Sequence, residues 1–366
     1  MSDYVAGMTW GWTGVRGTWG GPEAERSLDL MVERLGVTWT AIAFGALQDT
    51  PQSTEIRFRD EPTVTDDEVR WAVRAAKQRG LKVCLKPVVN VRNGTWRAHI
   101  SFFDVDVPPE PTWAQWFAAY TEFIVHHARI AAEEGVEMLC IGCEMVQSDR
   151  REAEWRALVA QVRAVYGGLI TYNCDKYQED HVGWWDAVDV ISSSGYYPVD
   201  DWENQLDRIA PVVAAHGKPF VFLEAGCPSR VGSPALPNDW ALEGAPSEQA
   251  QVEWYEAAFA ACARRDWVGG FLLWDWPARL YDEGAAATDD DYCVFGKAAE
   301  GVVRRAYAEA LSRERTPKTE PSTPPTMPNH ARPDPCPPVR ARRSARTPST
   351  IATGPRGQIS SAASPR

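Results

Sequence analysis

The chain has 366 residues, 44% of them hydrophobic and 24% charged, and a net charge of −12. That composition supplies one large core and excludes wholesale disorder. Its apolar runs fall far short of the roughly 18 residues that span a bilayer, which excludes an integral membrane protein. The bases that follow Thr316 leave an acidic body, which would repel a phosphate backbone, so no nucleic-acid partner is expected.

The predicted elements alternate along the chain. The start, MSDYVAGMTW, carries no basic stretch leading into an apolar one, so a cytoplasmic protein is expected, with export by another route left open. The apolar run 5–10 predicts a first strand. Pro22, with Glu23 and Glu25 behind it, opens a helix at 23–35, and Gly36 closes it before a strand at 37–44. Thr65 and Glu68 form a capping box for a helix at 66–79, followed by Gly80 and a strand at 81–90. A helix at 114–134, Gly135 and a strand at 136–144 come next, then a helix at 151–166 and a strand at 169–173. The fifth connection is weak, with only a short piece at 181–187 before the strand at 188–196. Helix 201–216, Gly217, strand 219–224, helix 248–264, strand 268–276 and helix 297–312 complete the series.

Eight such units imply parallel strands buried on both faces, and they match a (β/α)8 TIM barrel of the α/β class over residues 1–315. A doubly wound open sheet would show a glycine-rich phosphate loop after an early strand, and GMTWGWTG at 7–14 has no GxGxxG pattern. Residues 316–366, rich in Pro, Ser, Thr and Arg, read as a disordered basic tail serving as a spacer.

The eight cysteines are scattered through the chain and read as buried, reduced thiols. Cys140-Ile-Gly-Cys143 lacks a second ligand pair, so no zinc site is expected. His126 and His127 read as ordinary helix-surface residues, and Asp289–Asp291 as a solvated loop without the spacing of a calcium site. The segment 227–247, rich in Gly, Pro and Ser, is placed to form a mobile wall. No metal or organic cofactor is called for.

Barrels carry their functional side chains at the C-terminal ends of strands. Glu144 and Glu224 each end an otherwise apolar strand, IGCE and VFLE, where an acid is costly unless paired or chemically used. Two facing carboxyl groups walled by aromatic rings are the equipment of glycoside hydrolysis, one protonated to release the leaving group and one ionised. Glu144 and Glu224 are the candidate catalytic pair. Trp10, Trp12, Lys86, Asn90, Asn173, Tyr196, Trp274 and Trp276 also lie at or just beyond strand ends and are candidate sugar contacts, with Trp96 as a further platform. The expected partner is an oligosaccharide or polysaccharide.

Six motifs in order give a closer likeness: GMTWGWTG, LKPVVN at 85–90, IGCEM at 141–145, SGYYP at 194–198, FLEAGCPS at 222–229 and LLWDW at 272–276. Together the chain resembles glycoside hydrolase family 113, mainly endo-β-1,4-mannanases, within the large clan of retaining (β/α)8 hydrolases. The resemblance implies cleavage of β-1,4-mannan or manno-oligosaccharides with Glu144 as acid/base and Glu224 as nucleophile. It implies that Tyr196 bonds the nucleophile and that Trp274 lies under the reacting sugar. Cys143 departs from the clan, where an asparagine that holds the sugar 2-hydroxyl commonly precedes the acid/base. The alternatives are the same chemistry on another β-glycan, such as glucan, xylan or galactan, and a binding barrel without turnover.

Overall fold

In the computed structural model, which describes residues 3–12 and 14–315, eight parallel strands pair in chain order and the last closes on the first. They are β1 (Val5–Trp10), β2 (Trp39–Gln48), β3 (Lys82–Val91), β4 (Met138–Cys143), β5 (Leu169–Cys174), β6 (Val190–Ser194), β7 (Phe220–Glu224) and β8 (Val268–Trp276). Around them run α1 (Pro22–Leu35), α2 (Asp66–Gln78), α3 (Trp113–Glu133), α4 (Glu152–Arg163), α5 (Trp202–His216), α6 (Glu248–Cys262) and α7 (Ala298–Arg315). This is the expected (β/α)8 TIM barrel. The tail read at 316–366 lies outside the described residues.

Local signals set the helix ends. Thr65 accepts the Glu68 amide at 3.2 Å while the Glu68 carboxylate accepts the Thr65 amide at 2.8 Å, a reciprocal cap. Gly36 and Gly217 close α1 and α5 at φ 66° and 60°, a left-handed turn that a side chain would resist. The weak fifth connection lacks an α-helix. A single turn, Trp185–Ala187, stands there, and Trp184 fills the space by stacking on Trp155 at 5.0 Å.

Two apolar layers hold the barrel. Outside, helix faces pack on the strands. Inside, alternate strand positions such as Trp39 and Ala41, Met138 and Cys140, and Val221 and Leu223 form an apolar plug. One layer higher, the same alternation brings polar groups inward. Thr171 and Ser192 bond at 2.7 Å, and Asn173 donates to Ser194 at 2.9 Å. The plug is the floor of the site and the polar layer is its frame.

His127 departs from expectation. It is buried against Phe44 and Phe58, with ring centroids at 4.9 and 5.7 Å, and donates from Nδ1 to the Phe123 carbonyl. Burial pushes its pKa down to about 4, so it packs as a neutral core residue. The seven described cysteines are free and buried.

Candidate active site

Three irregularities in the sheet aim the site. The register slips between Cys140 and Cys143 on the β4–β5 edge, at the end of β7 opposite Ser194, and between Met8 and Trp10 against β8. Each inserts a residue just where Glu144, Glu224 and Trp274 stand. Bulges of this kind turn a strand end and redirect its side chains. Glu144 follows its bulge with φ 53°, and its amide donates to the Asn173 carbonyl at 2.8 Å. A non-glycine residue held in that region marks a position determined by its surroundings.

Glu224 is 5% exposed and fully engaged. Its Oε1 accepts from Lys86 Nζ at 2.6 Å and from the Cys143 thiol at 3.2 Å, and its Oε2 accepts from the Tyr196 hydroxyl at 3.2 Å. Burial works against its charge. The charges of Lys86 and Arg97 outweigh burial, with help from the Lys86 and Cys143 hydrogen bonds, and hold the carboxyl below its ordinary range. Burial also raises the Cys143 pKa strongly, so this thiol is a neutral donor.

Glu144 is held on both oxygens. Ser194 donates to Oε1 at 2.8 Å, while Arg97 and the Trp96 indole donate to Oε2 at 2.8 and 3.2 Å. The Cys143 sulfur and one oxygen from each glutamate all lie within 4.8 Å of one another. That approach fits the retaining arrangement, in which the carboxyl groups stand roughly 5–5.5 Å apart. The trio has the reach to hold a cation, but Lys86 and Arg97 already supply positive charge to both carboxylates.

The expected contacts separate into four groups. Tyr196, Trp274 and Tyr292 form an aromatic cluster with half-buried Trp12 packed against it, Trp12 and Trp274 having ring centroids 5.2 Å apart; this cluster walls the carboxylates. Lys86 and Asn173 are wholly buried and bond to the machinery, so they support the acids from below and offer no surface to a sugar. Trp10 and Trp276 are corrected. Both are fully buried in the layer between barrel and helices, with their indoles 3.2 and 3.1 Å from the Ser27 hydroxyl, and cannot serve as platforms. Asn90 is half-buried farther along β3, paired in register with Leu47, outside the hydrogen-bonded cluster.

Arg97 and Ser194 were missed. Arg97 sits in the long loop between β3 and α3, which has no distinguishing periodicity. Ser194 had a readable signal, since three consecutive serines are unusual in a buried parallel strand. The segment 227–247, expected to be mobile, is pinned: Arg230 pairs with Asp290 at 3.1 Å and donates to the Leu242 carbonyl at 2.6 Å, and buried Lys297 donates to Ser229 at 2.7 Å. Asp290, through Arg230, and Asp289, through an ion pair with Lys297, are therefore clamps.

Beneath the Glu144 turn, the Tyr172 hydroxyl accepts the Met145 amide at 3.1 Å and donates to buried Asp149. Burial pushes Asp149 up to about 7, against the pull of the Tyr172 bond. The folded chain thus keeps a proton that the unfolded chain releases near pH 3.9, and stability falls as pH rises from there to about 7, by about 1.4 kcal/mol per unit. In urea denaturation, Asp149→Asn is expected to lose less stability than wild type between pH 5 and 8. Equal losses would contradict this assignment.

A closed parallel barrel with two buried glutamates at the C-terminal mouth, spaced for double displacement and walled by aromatic rings, defines a glycoside hydrolase of the retaining class. The model of Glycoside Hydrolase Family 113 matches residues 8–297, and the chain belongs to that family. A solved GH113 β-1,4-mannanase is 54% identical, with a TM-score of 0.83, covering 84% of this chain and 99% of its own. The GH113 β-mannanase from Alicyclobacillus acidocaldarius, solved with ManMIm, is 44% identical, with a TM-score of 0.82, covering 84% and 98%. The β-glucuronidase of Ruminococcus gnavus, at 15% identity and a TM-score of 0.58 over 83% of this chain and 50% of its own, shares the fold alone. No curated protein matches the chain.

Proposed function

We propose that this enzyme hydrolyses β-1,4-mannan or manno-oligosaccharides with retention of configuration. The observation that carries the chemistry is the approach of Glu144 and Glu224 to within 4.8 Å at the barrel mouth. The substrate follows from relatives at 44–54% identity that are β-mannanases.

Glu224, kept ionised by Lys86 and Arg97, attacks the anomeric carbon while Glu144 protonates the departing oxygen. Tyr196 steadies the attacking carboxylate, and Trp274 and Trp12 provide the apolar floor. Deprotonated Glu144 then activates a water that releases the sugar from Glu224. A panel of defined β-linked manno-, gluco-, xylo- and galacto-oligosaccharides tests the substrate. The manno series is expected to be cleaved at least tenfold more efficiently than any other, and preference for another backbone would overturn the mannan reading.

The glycan is the proposed partner, and the acidic body makes a nucleic-acid partner unfavourable. Among the described residues no helix is long and apolar enough to cross a membrane. We place the enzyme in the cytoplasm, acting on imported oligosaccharides, because seven buried free thiols suit a reducing compartment. Cell fractionation tests this, and activity confined to the exported fraction would contradict it.

A further inference from the structure

Glu179 lies on the connection between β5 and β6, the link that lacks an α-helix, yet it is wholly buried, deeper than either Glu144 or Glu224. An acid so placed is costly unless it is paired and hydrogen-bonded. One of its oxygens accepts from the hydroxyls of Ser193 and Tyr197, both at 2.6 Å, and the other accepts from Arg208 of α5. Arg208 is steadied in turn by Asp180 at 3.3 Å and by the Gln205 side chain at 2.8 Å. The Trp185 indole donates to the Glu179 carbonyl at 2.8 Å and fixes the backbone at the same point.

The segment 193–197 links this acid to the chemistry. Ser193 and Tyr197 turn back to Glu179. Ser194 and Tyr196, between them, turn the other way: Ser194 donates to Glu144 at 2.8 Å and Tyr196 to Glu224 at 3.2 Å. This is the alternation of an extended chain, whose successive side chains point to opposite faces. Gly195, at the centre, donates its amide to the Glu224 carbonyl at 2.7 Å. A methyl group there would stand 2.9 Å from Phe222 and 3.0 Å from Trp202, so the segment lies tight against β7 and α5. One buried carboxylate behind the chain therefore holds both flanks of the two donors in front of it.

We propose that Glu179 is a positioning residue for the reaction. Anchored to Arg208, it sets the place of residues 193–197, and with it the two hydrogen bonds that aim the acid/base and the nucleophile. This role rests on the assignment of Glu144 and Glu224 as the acting pair, and it adds a residue that meets no sugar.

The test is Glu179→Gln, assayed on the oligosaccharide that the wild-type enzyme cleaves fastest, with the folded fraction measured by thermal unfolding. kcat is expected to fall about tenfold to a hundredfold with KM within about twofold, because misplacement of the acting groups costs turnover and not binding. The pH profile of kcat/KM separates positioning from mere support. Hydrogen bonds from Ser194 and Tyr196 favour the charged carboxylates, so loosening them raises both pKa values and moves both limbs of the profile to higher pH. The titratable groups facing the pair, Lys86, Arg97, Cys143, Asp175, Asp275 and Tyr292, keep their identity in this variant. A folded variant with unchanged kcat, with its loss in KM, or with unmoved limbs overturns the proposal. Should Glu179→Gln fail to fold, Tyr197→Phe removes one anchor alone; a loss of about threefold to tenfold in kcat with the same pH displacement is expected, and wild-type kinetics overturns the proposal. Full activity of Glu144 and Glu224 variants would instead remove the assignment on which it rests.

Discussion

Replacing Glu224 with glutamine is expected to lower turnover of manno-oligosaccharides by about 10⁵- to 10⁶-fold, the scale on which an enzyme loses its covalent nucleophile. Glutamine keeps the volume of the side chain and an oxygen to accept the Lys86 ammonium, so the folded protein is expected to be recovered in normal yield. Alanine would be a poorer probe. Lys86 is wholly buried, and removing its partner strands a charge at a cost of about 3–5 kcal/mol. The same pair gives a pH signature. The folded-state pKa of Glu224 lies below its ordinary value, so the stability it contributes is present above about pH 4.3 and is lost as pH falls through the depressed value. Acid denaturation of Glu224→Gln is therefore expected to lack this contribution. Residual activity above about one per cent of wild type would show that the covalent bond forms elsewhere.

Glu144→Ala is expected to cost about 10²- to 10⁴-fold on manno-oligosaccharides, the usual contribution of a positioned acid/base. The loss depends on the leaving group. An aryl β-mannoside with an acidic phenol departs without a proton, so its first step is expected to be nearly unaffected while the second, which needs a base, becomes limiting. Added azide needs no base and is expected to restore much of the rate by intercepting the glycosyl-enzyme. The substitution leaves Ser194, Arg97 and Trp96 without an acceptor they now share, and Arg97 without its buried counter-ion, so some stability is lost as well. Equal losses on both substrate types, with no effect of azide, would assign the proton transfer to another group.

Much of this was legible from the chain. Alternation of apolar strands with capped amphipathic helices gave the barrel, because each cap and each closing glycine reports a local energy that tertiary contacts did not overturn. Glu144 and Glu224 were visible for the same reason that they are unusual: an acid at the end of an apolar strand is costly unless it has a task. Other strand-end residues were harder to place. Side chains alternate strictly inward and outward only while register is kept, and bulges on β4, β7 and β8 break it at the site itself. Trp10 and Trp276 consequently read like cleft residues although they pack between strands and α1. Lys86 was identified as a residue of interest, but its total burial beneath Glu224 depends on how eight strands converge. Arg97 reaches Glu144 from a loop without periodicity, and only its position in space reveals it.

The central claim is that two glutamates act in succession through a covalent glycosyl-enzyme. Proton magnetic resonance of the first sugar released from mannohexaose, recorded before mutarotation, tests it most directly. The account predicts the β-anomer at the newly formed reducing end, as two displacements require; an α-anomer appearing first would mean a single displacement by water and would contradict it.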